Sequence, residues 1–360
     1  GPGPFCGMML ADHGAEVIRI DRPGGMLLAK DPLARSRKSI CLDMKNPQSV
    51  AVARELCKNA DGIIEGYRPG VMERLGLGPD VLLADNPSLV YGRMTGWGQY
   101  GPYAQSAGHD INYIALSGVL HGCGTAGQKP VSPVNYIGDF GGGGMMLAFG
   151  MVAAILAVKT GGPGQVIDCA MTDGSAVLSA MTWGWHAMGV WQDEPGVNRL
   201  DGGAHYYDTY TCADGKFISI GSIEPQFYAL LRQKTGLDAD PSFDAQDDQA
   251  QWPVLKAKLV ELFATKTRDE WCGIMEMTDI CFAPVLSLSE APHHPHNVER
   301  GTFIDVGGTV MPAPAPRYSA TTTDHPRPAP GIGADGDAVL ASIGLDMAAI
   351  AGLRASGAVR

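Results

Sequence analysis

Short apolar segments alternate with helical patterns over the first hundred residues, and this alternation constrains the fold more than any other feature. Four segments have the length and composition of buried strands: VIRI (17–20), KSICLD (38–43), GIIEG (62–66) and LVYGRM (89–94). Between two of them, Asn46-Pro47 opens a stretch whose apolar residues recur at helical spacing. Parallel strands need long crossovers, usually helices. We therefore expect an α/β fold with a parallel sheet.

The pattern changes after residue 200. The segment HYYDTYTCADGKFISIGS (205–222) alternates like antiparallel strands around a turn at Asp214-Gly215. Helical patterns follow over 253–263 and 268–277. Strands paired with each other and followed by helices are typical of a small α+β domain.

A chain of 360 residues is long enough for two domains. We expect a large α/β domain over 1–190, completed by 315–360. The small α+β domain is expected over 205–300. Linkers are expected at 191–204 and 301–314.

Cationic side chains follow several of the predicted strands. Ligands of open α/β sheets gather at the carboxyl ends of the strands. The residues at these positions include Arg22, Lys45, Tyr67, Arg68 and Arg93. Each cation alone is explained equally well as a solvated loop charge. Several of them in a chain with a net charge of -11 indicate a phosphate-bearing ligand.

Composition argues against several other classes of partner. An acidic protein is not attracted over long range to nucleic acid or to an anionic membrane. The longest apolar stretch, Met145–Val158, is too short to span a bilayer. The eight cysteines form no CxxC pair, which indicates reduced thiols in a cytoplasmic protein. We expect no metal, because His293, His294 and His296 lie in a Pro-containing loop that cannot aim them at one ion.

Two polar residues stand at predicted helix starts. They are His109 in GHDINY (108–113) and Asp139 in NYIGDFGGGGMM (135–146). Both are explained simply as parts of helix caps. Alternatively, the glycines expose backbone N–H groups to a ligand, and the two helix starts face one cavity. An acid and a base would then lie on opposite sides of a carbon, with backbone donors to stabilise an enolate.

Five segments resemble the alpha-methylacyl-CoA racemases, within the family III CoA-transferase superfamily. The segments are IEGYRPGVMERLGLG (64–78), YGRMTGWGQYGP (91–102), AGHDINYIALSGVL (107–120), NYIGDFGGGGMM (135–146) and LDGGAHYYDTY through IGSIEPQFY (200–228). The resemblance implies an interlocked homodimer, in which each chain has a Rossmann-like large domain and a small α+β domain. We expect the strand that opens the family's first α/β unit to be missing here, together with its contact to the coenzyme.

The resemblance implies a 1,1-proton transfer on a 2-methylacyl-CoA thioester. This reaction interconverts the (2R) and (2S) epimers through an enolate. His109 and Asp139 match the family's two bases, one for each face of Cα. Glu224 matches an acidic residue that orients the histidine from the other subunit. The backbone N–H of Asp110 is expected to stabilise the enolate oxygen.

The resemblance also assigns the contacts to CoA. Because CoA is part of the substrate, we expect no separate cofactor. The matching residues are Arg22, Asp43, Met44, Lys45, Gly66, Tyr67, Arg68, Arg74 and Tyr113. Arg22 is expected on the nucleotide phosphate side and Tyr113 near the pantetheine end. The helices over 109–190 are rich in Met, which serves either as core filler or as an adaptable surface for an acyl chain.

Two other functions are compatible with these residues. A family III CoA-transferase uses the aspartate at the Asp139 position as a nucleophile, but such enzymes usually lack the histidine at position 109. A non-catalytic acyl-CoA binding protein would keep the cations and tolerate the loss of His109 and Asp139. This chain retains both residues, which favours the racemase.

Overall fold

The computed structural model of the protein describes residues 1–26, 28 and 30–360. The chain divides into two compact units. The first unit comprises Gly1–Ser117, Val134–Leu178 and Arg300–Arg360. The second unit comprises Gly118–Pro133 and Ser179–Glu299.

These units do not follow the predicted domain boundaries at every point. The second unit includes 118–133 and 179–190, which the sequence pattern places in the large domain. The units group residues that lie close together, whereas a domain is defined by its ability to fold alone. The domain boundaries therefore stay a prediction.

The first unit contains both parallel strands and helices. Its elements, numbered along the chain, are α1 Pro2–Asp12, β1 Ile18–Asp21, β2 Lys38–Cys41, α2 Pro47–Lys58, β3 Gly62–Glu65, α3 Val71–Arg74, α4 Pro79–Asp85, β4 Val90–Thr95, α5 Asp110–Leu116, α6 Met146–Lys159, β5 Gln165–Ala170, α7 Met171–Leu178, β9 Phe303–Asp305, β10 Val310–Pro312, α13 Gly336–Ser342 and α14 Met347–Ala355. Strands β1 and β2 pair in parallel, and β3, β4 and β5 form a second parallel sheet. Strands β9 and β10 pair antiparallel. The expected α/β fold with parallel strands is confirmed.

Strand β4 is buried on both faces. Val90 and Met94 pack in one apolar cluster with residues of α1 and α6, while Tyr91 packs in another with residues of α2 and α4. Successive side chains of a strand point to opposite faces, so helices cover both sides of this sheet. This explains why the strand has no alternation of apolar and polar residues.

One continuous helix differs from the sequence prediction. A π-helix over Tyr136–Met145 runs directly into α6, which gives a helix of 24 residues from Tyr136 to Lys159. The expectation that this apolar stretch is too short to span a bilayer does not hold for the helix as a whole, because the preceding glycines lengthen it to 24 residues. Within the described residues, this is the one helix whose length and composition would permit it to cross a membrane. A single helix of this kind is weak evidence for a membrane span, because the core helix of a soluble protein meets the same criteria of length and composition.

The second unit is built around an antiparallel sheet. Its elements are α8 Ala180–Ala187, β6 Tyr207–Thr211, β7 Phe217–Gly221, α9 Pro225–Thr235, α10 Trp252–Phe263, α11 Arg268–Met275, β8 Phe282–Val285 and α12 Pro295–Arg300, the last of which ends at the border of the first unit. Strand β7 lies between β6 and β8, and both pairings are antiparallel. The turn between β6 and β7 contains Gly215 at φ +74°, a conformation that glycine adopts without strain. The antiparallel strands and two helices predicted after residue 200 are confirmed.

Candidate active site

His109 lies at the N-terminus of α5, after the loop that follows β4. The residue has an extended backbone and an exposed side chain. Its backbone N–H donates to Asn112 Oδ1 at 3.0 Å, and its carbonyl accepts the Asn112 N–H at 2.8 Å. These two bonds fix the backbone of His109 and leave its imidazole exposed at the helix start.

Asp139 lies in the first turn of the π-helix. Asn135, four residues earlier, donates from Nδ2 to Asp139 Oδ2 at 3.0 Å. The Asp139 side chain is half-buried, so it remains accessible on one side. The bond from Asn135 holds the Asp139 carboxylate within the first turn of the π-helix.

The side chain of Asp110 joins the two helix starts. Its Oδ1 accepts the backbone N–H of Asp139 at 2.7 Å, and the Gly138 N–H also bonds to this carboxylate. Burial raises the pKa of Asp110, and the nearby charge of Asp139 adds to the shift, whereas the two N–H groups oppose it. A Cβ on Gly138 would lie 2.5 Å from Asp110 Oδ1, so only glycine permits this approach. Asp110 therefore places Asp139 relative to the helix that begins at His109.

Tyr113 supports the loop that carries His109. Its hydroxyl donates to the Gly108 carbonyl, and its ring meets Trp97 edge-on at a centroid distance of 4.8 Å. A Cβ at Gly96 or Gly108 would collide with the Tyr113 ring. Only 7% of Tyr113 is exposed, and its predicted contact with the pantetheine end of CoA stays a prediction.

The glycine run after Asp139 serves helix packing. A Cβ on Gly142 would lie 2.5 Å from Ser175 N in α7, and one on Gly144 would lie 2.7 Å from the carbonyl of Pro2 in α1. The expectation that these glycines expose backbone to a ligand is therefore wrong for Gly142–Gly144, which are buried. Their missing side chains let α1 and α7 approach the π-helix backbone instead.

The residues assigned to CoA follow the parallel strands, as the sequence predicts. Arg22 follows β1, the segment Asp43–Lys45 follows β2, Gly66–Arg68 follows β3, and Arg74 ends α3. The exposed members are Arg22, Lys45, Gly66, Tyr67, Arg68 and Arg74. Asp43 Oδ1 accepts the Lys45 N–H at 3.1 Å, and Met44 packs in part against the core. Within the described part of the chain, none of the four cations in this set forms an ion pair, so their charge remains available to an anion.

Glu224 lies in the second unit, at the start of α9, with its side chain exposed. Its predicted role as the residue that orients His109 stays a prediction. Among the residues that the structure describes, no group of three or more His, Cys, Asp or Glu side chains is arranged to hold a metal ion. His294 of the predicted histidine loop instead has its Nε2 2.7 Å from Glu276 Oε1.

Comparison with known proteins places this chain in a family. Residues 1–336 match the CoA-transferase family III. The chain belongs to this family. It is 50% identical over 321 residues to the alpha-methylacyl-CoA racemase of Mus musculus, covering 89% of this chain and 84% of the mouse protein. The alpha-methylacyl-CoA racemase of Homo sapiens is 48% identical, covering 88% of this chain and 82% of the human protein.

A solved structure supports the fold of this CoA-transferase family III protein. A CAIB/BAIF family protein from Brucella suis superposes with a TM-score of 0.82 over 95% of each chain, at 24% sequence identity. At that identity, the likeness concerns the fold alone. The α/β architecture is therefore shared across distant sequences.

The structure of this family III chain adds residues that the sequence reasoning missed. Asn135 precedes Asp139 by four residues, so helical spacing alone could have indicated their contact. The carboxylate of Asp110 had no such signal, because its partner is 29 residues away. Arg93, counted among the loop cations from the sequence, is 6% exposed and paired with Glu65 and Glu73. The assignment of Arg93 to a phosphate-bearing ligand is wrong, because Glu65 and Glu73 of the same chain already bind its guanidinium.

Proposed function

We propose that the chain epimerises 2-methylacyl-CoA thioesters by 1,1-proton transfer. The single observation that carries this proposal is the link between two helix starts: Asp110, next to His109, holds the backbone of Asp139. The identity to the two mammalian racemases supports the same reaction. A racemase needs two groups that can exchange a proton with one carbon, and this linkage relates two such groups to each other.

His109 and Asp139 act as the two bases. For one epimer, one of them removes the α-proton of the thioester and forms an enolate. The other then donates a proton to the opposite face of the same carbon. No atom is gained or lost overall, so the reaction needs no second substrate. The Asp110 N–H donates to the enolate oxygen and lowers the barrier by stabilising charge that develops in the transition state.

The CoA moiety gives the substrate phosphate groups that the protein can bind. The exposed cations Arg22, Lys45, Arg68 and Arg74 supply charge-assisted contacts to its phosphates. Tyr67, which is 55% exposed, offers an aromatic surface beside them. We infer no cofactor beyond CoA, a cytoplasmic location, and no binding to nucleic acid or to a membrane.

The active form is a homodimer in this proposal. Phe149, Val152 and Leu156 recur at helical spacing on α6, and each is more than half exposed. An apolar stripe of this kind is typical of a covered surface. The partner subunit would supply Glu224 to orient His109. Met151 and Met171 belong to the core, whereas Met145, Met181 and Met188 are exposed and support the acyl-surface interpretation.

The test uses deuterium oxide and a single epimer of a 2-methylacyl-CoA, with no other substrate. Deuterium should enter at Cα while the substrate drifts towards a mixture of epimers. His109→Ala should abolish epimerisation, although exchange on the face served by Asp139 can persist. Arg54→Ala is a matched control, since Arg54 pairs with Asp85 between α2 and α4.

The two alternative functions predict different results in the same assay. A CoA-transferase with Asp139 as nucleophile would show no reaction until a carboxylate acceptor was added, and would then form a new CoA ester without deuterium. A non-catalytic binding protein would bind the ester and leave it unchanged. Either result, or normal epimerisation by His109→Ala, would reject the two-base mechanism.

A further inference from the structure

Glu65 and Arg93 form a buried ion pair at the end of the parallel sheet. The two residues are register partners on β3 and β4. Arg93 Nε lies 3.0 Å from Glu65 Oε1, and the side chains are 8% and 2% exposed. Removing two charges from water is costly, and a buried pair by itself adds little net stability. The additional bonds of this pair indicate what it does.

Glu65 determines the path of the chain immediately after β3. Its second oxygen, Oε2, accepts the backbone N–H of Tyr67 at 2.7 Å. Burial raises the pKa of Glu65, whereas the Tyr67 N–H and Arg93 favour its charged form. The carboxylate therefore ties the start of the exposed segment Gly66–Arg68 to the rigid sheet.

Arg93 ties down the other end of the same segment. Its Nη1 and Nη2 donate to the two carboxylate oxygens of Glu73 at 2.8 and 3.3 Å. Glu73 lies in α3, next to Arg74. One guanidinium thus connects Glu65, which bonds to the Tyr67 N–H, with Glu73, which directly precedes Arg74.

We infer that Glu65 and Arg93 are positioning residues for the CoA moiety. They hold Gly66–Arg74 in one shape, so that Tyr67, Arg68 and Arg74 are ordered before the ligand arrives. Ordering a loop in advance improves affinity because binding no longer has to immobilise it. Neither positioning residue touches the substrate. The inference rests on the proposed function, which assigns CoA to this segment.

The test compares Arg93→Lys with the wild type in the chain of 360 residues. Lysine keeps the charge but lacks the planar fork that reaches both carboxylates, so the change separates geometry from electrostatics. Arg54→Lys is the matched control, because Arg54 also donates to both oxygens of a carboxylate. Its partner is Asp85, which lies outside the segment Gly66–Arg74. Glu65→Gln is a second variant that keeps an oxygen for the Tyr67 N–H, in case Arg93→Lys does not fold.

Two readouts decide the outcome. The Kd of CoA, measured by calorimetry, and the KM of the CoA ester should both rise about tenfold in Arg93→Lys, since the loop must be ordered on binding. We expect kcat and the KM of a pantetheine thioester without the nucleotide to stay within about twofold of wild type. Glu65→Gln should change in the same direction by less, and Arg54→Lys should not change.

An unchanged Kd in Arg93→Lys overturns the inference. So does an equal rise in KM for the CoA and pantetheine esters with a fall in kcat, because this indicates a general structural defect. Calorimetry does not depend on turnover. A wild type that binds CoA without epimerising the ester would reject the proposed reaction, while the comparison of Kd values would still decide the role of Arg93.

Discussion

Asp110 accepts the backbone N–H of Asp139 at 2.7 Å, and this bond joins the starts of two helices. The carboxylate is buried, and the π-helix reaches it closely because residue 138 is glycine. Asp110 therefore has two separate functions in the proposed mechanism. Its backbone N–H faces the enolate oxygen, and its side chain positions one of the two bases.

The first prediction concerns this bond. Asp110→Ala leaves the N–H groups of Gly138 and Asp139 without their acceptor. Because this bond positions Asp139, we expect the Asp139 carboxylate to move away from its position as a base. Misplacement of a catalytic group by about 1 Å costs on the order of 100-fold in rate, so kcat should fall by about 10- to 100-fold. Steady-state kinetics with a 2-methylacyl-CoA measures this effect.

Asp110→Asn serves as the control for charge. Asparagine retains an oxygen that can accept the Asp139 N–H, so it should recover most of the activity lost in the alanine variant. If the alanine and asparagine variants lose activity equally, the carboxylate acts through its charge and the positioning role is wrong.

The second prediction concerns CoA binding. Arg22→Ala and Lys45→Ala each remove a charge-assisted contact, which contributes about 1.5–3 kcal/mol. Because this contact is present in both the ground state and the transition state, KM should rise while kcat changes little. Lys159→Ala is the control, since Lys159 forms an exposed pair with Asp61. A large fall in kcat at constant KM would contradict the assignment.

The third prediction concerns the glycine run. Gly142→Ala puts a methyl group where Ser175 N lies 2.5 Å away, so the π-helix and α7 must separate. Overpacking of this kind lowers the free energy of unfolding by about 1–3 kcal/mol. Gly352→Ala in α14 meets nothing within 4 Å and should stabilise the protein by about 0.4–1 kcal/mol. Urea unfolding compares the two variants, and equal stability would show that the close approach has no cost.

The fourth prediction concerns the pH dependence of stability. His205 is completely buried in the second unit, with Nε2 2.8 Å from the Tyr228 hydroxyl. Burial, aided by the charge of Lys256, lowers the pKa of His205 from 6.5 to about 4. Between these values the unfolded chain binds a proton that the folded chain does not. The contribution of His205 to stability is therefore complete above pH 6.5 and is lost as the pH falls towards 4.

Urea unfolding at pH 7 and pH 5 tests this dependence. His205→Gln should show a smaller loss of stability between the two values than the wild type. His121→Gln is the control, because His121 is exposed in the same unit. A wild-type loss that His205→Gln leaves unchanged would assign the pH dependence to other groups.

Local patterns were sufficient for much of the fold. The strands near 17–20, 38–43, 62–66 and 89–94 form where their composition predicts, because β-branched and apolar residues favour buried strands regardless of distant partners. Asn46 starts α2 by accepting the Gln48 N–H, a bond made within three residues. Signals of this kind lie entirely in the local sequence.

Local sequence also predicted the positions of the two candidate bases, but not the contact that links them. His109 and Asp139 were predicted at helix starts from the adjacent apolar runs and glycines, and the structure places both there. Their link through Asp110 depends on a contact across 29 residues, which no local pattern records.

The roles of the glycines and cations depend on tertiary contacts. Gly142 and Gly144 could have faced either a ligand or a helix, and the approach of α7 and α1 determines that they face helices. Arg93 lies near the end of β4 and Arg68 follows β3, yet Arg93 is paired with the buried Glu65 and the exposed Glu73, whereas Arg68 is exposed and unpaired among the described residues. Periodicity and capping are encoded by neighbours in sequence, whereas burial and charge pairing depend on which distant residues fill the surrounding space.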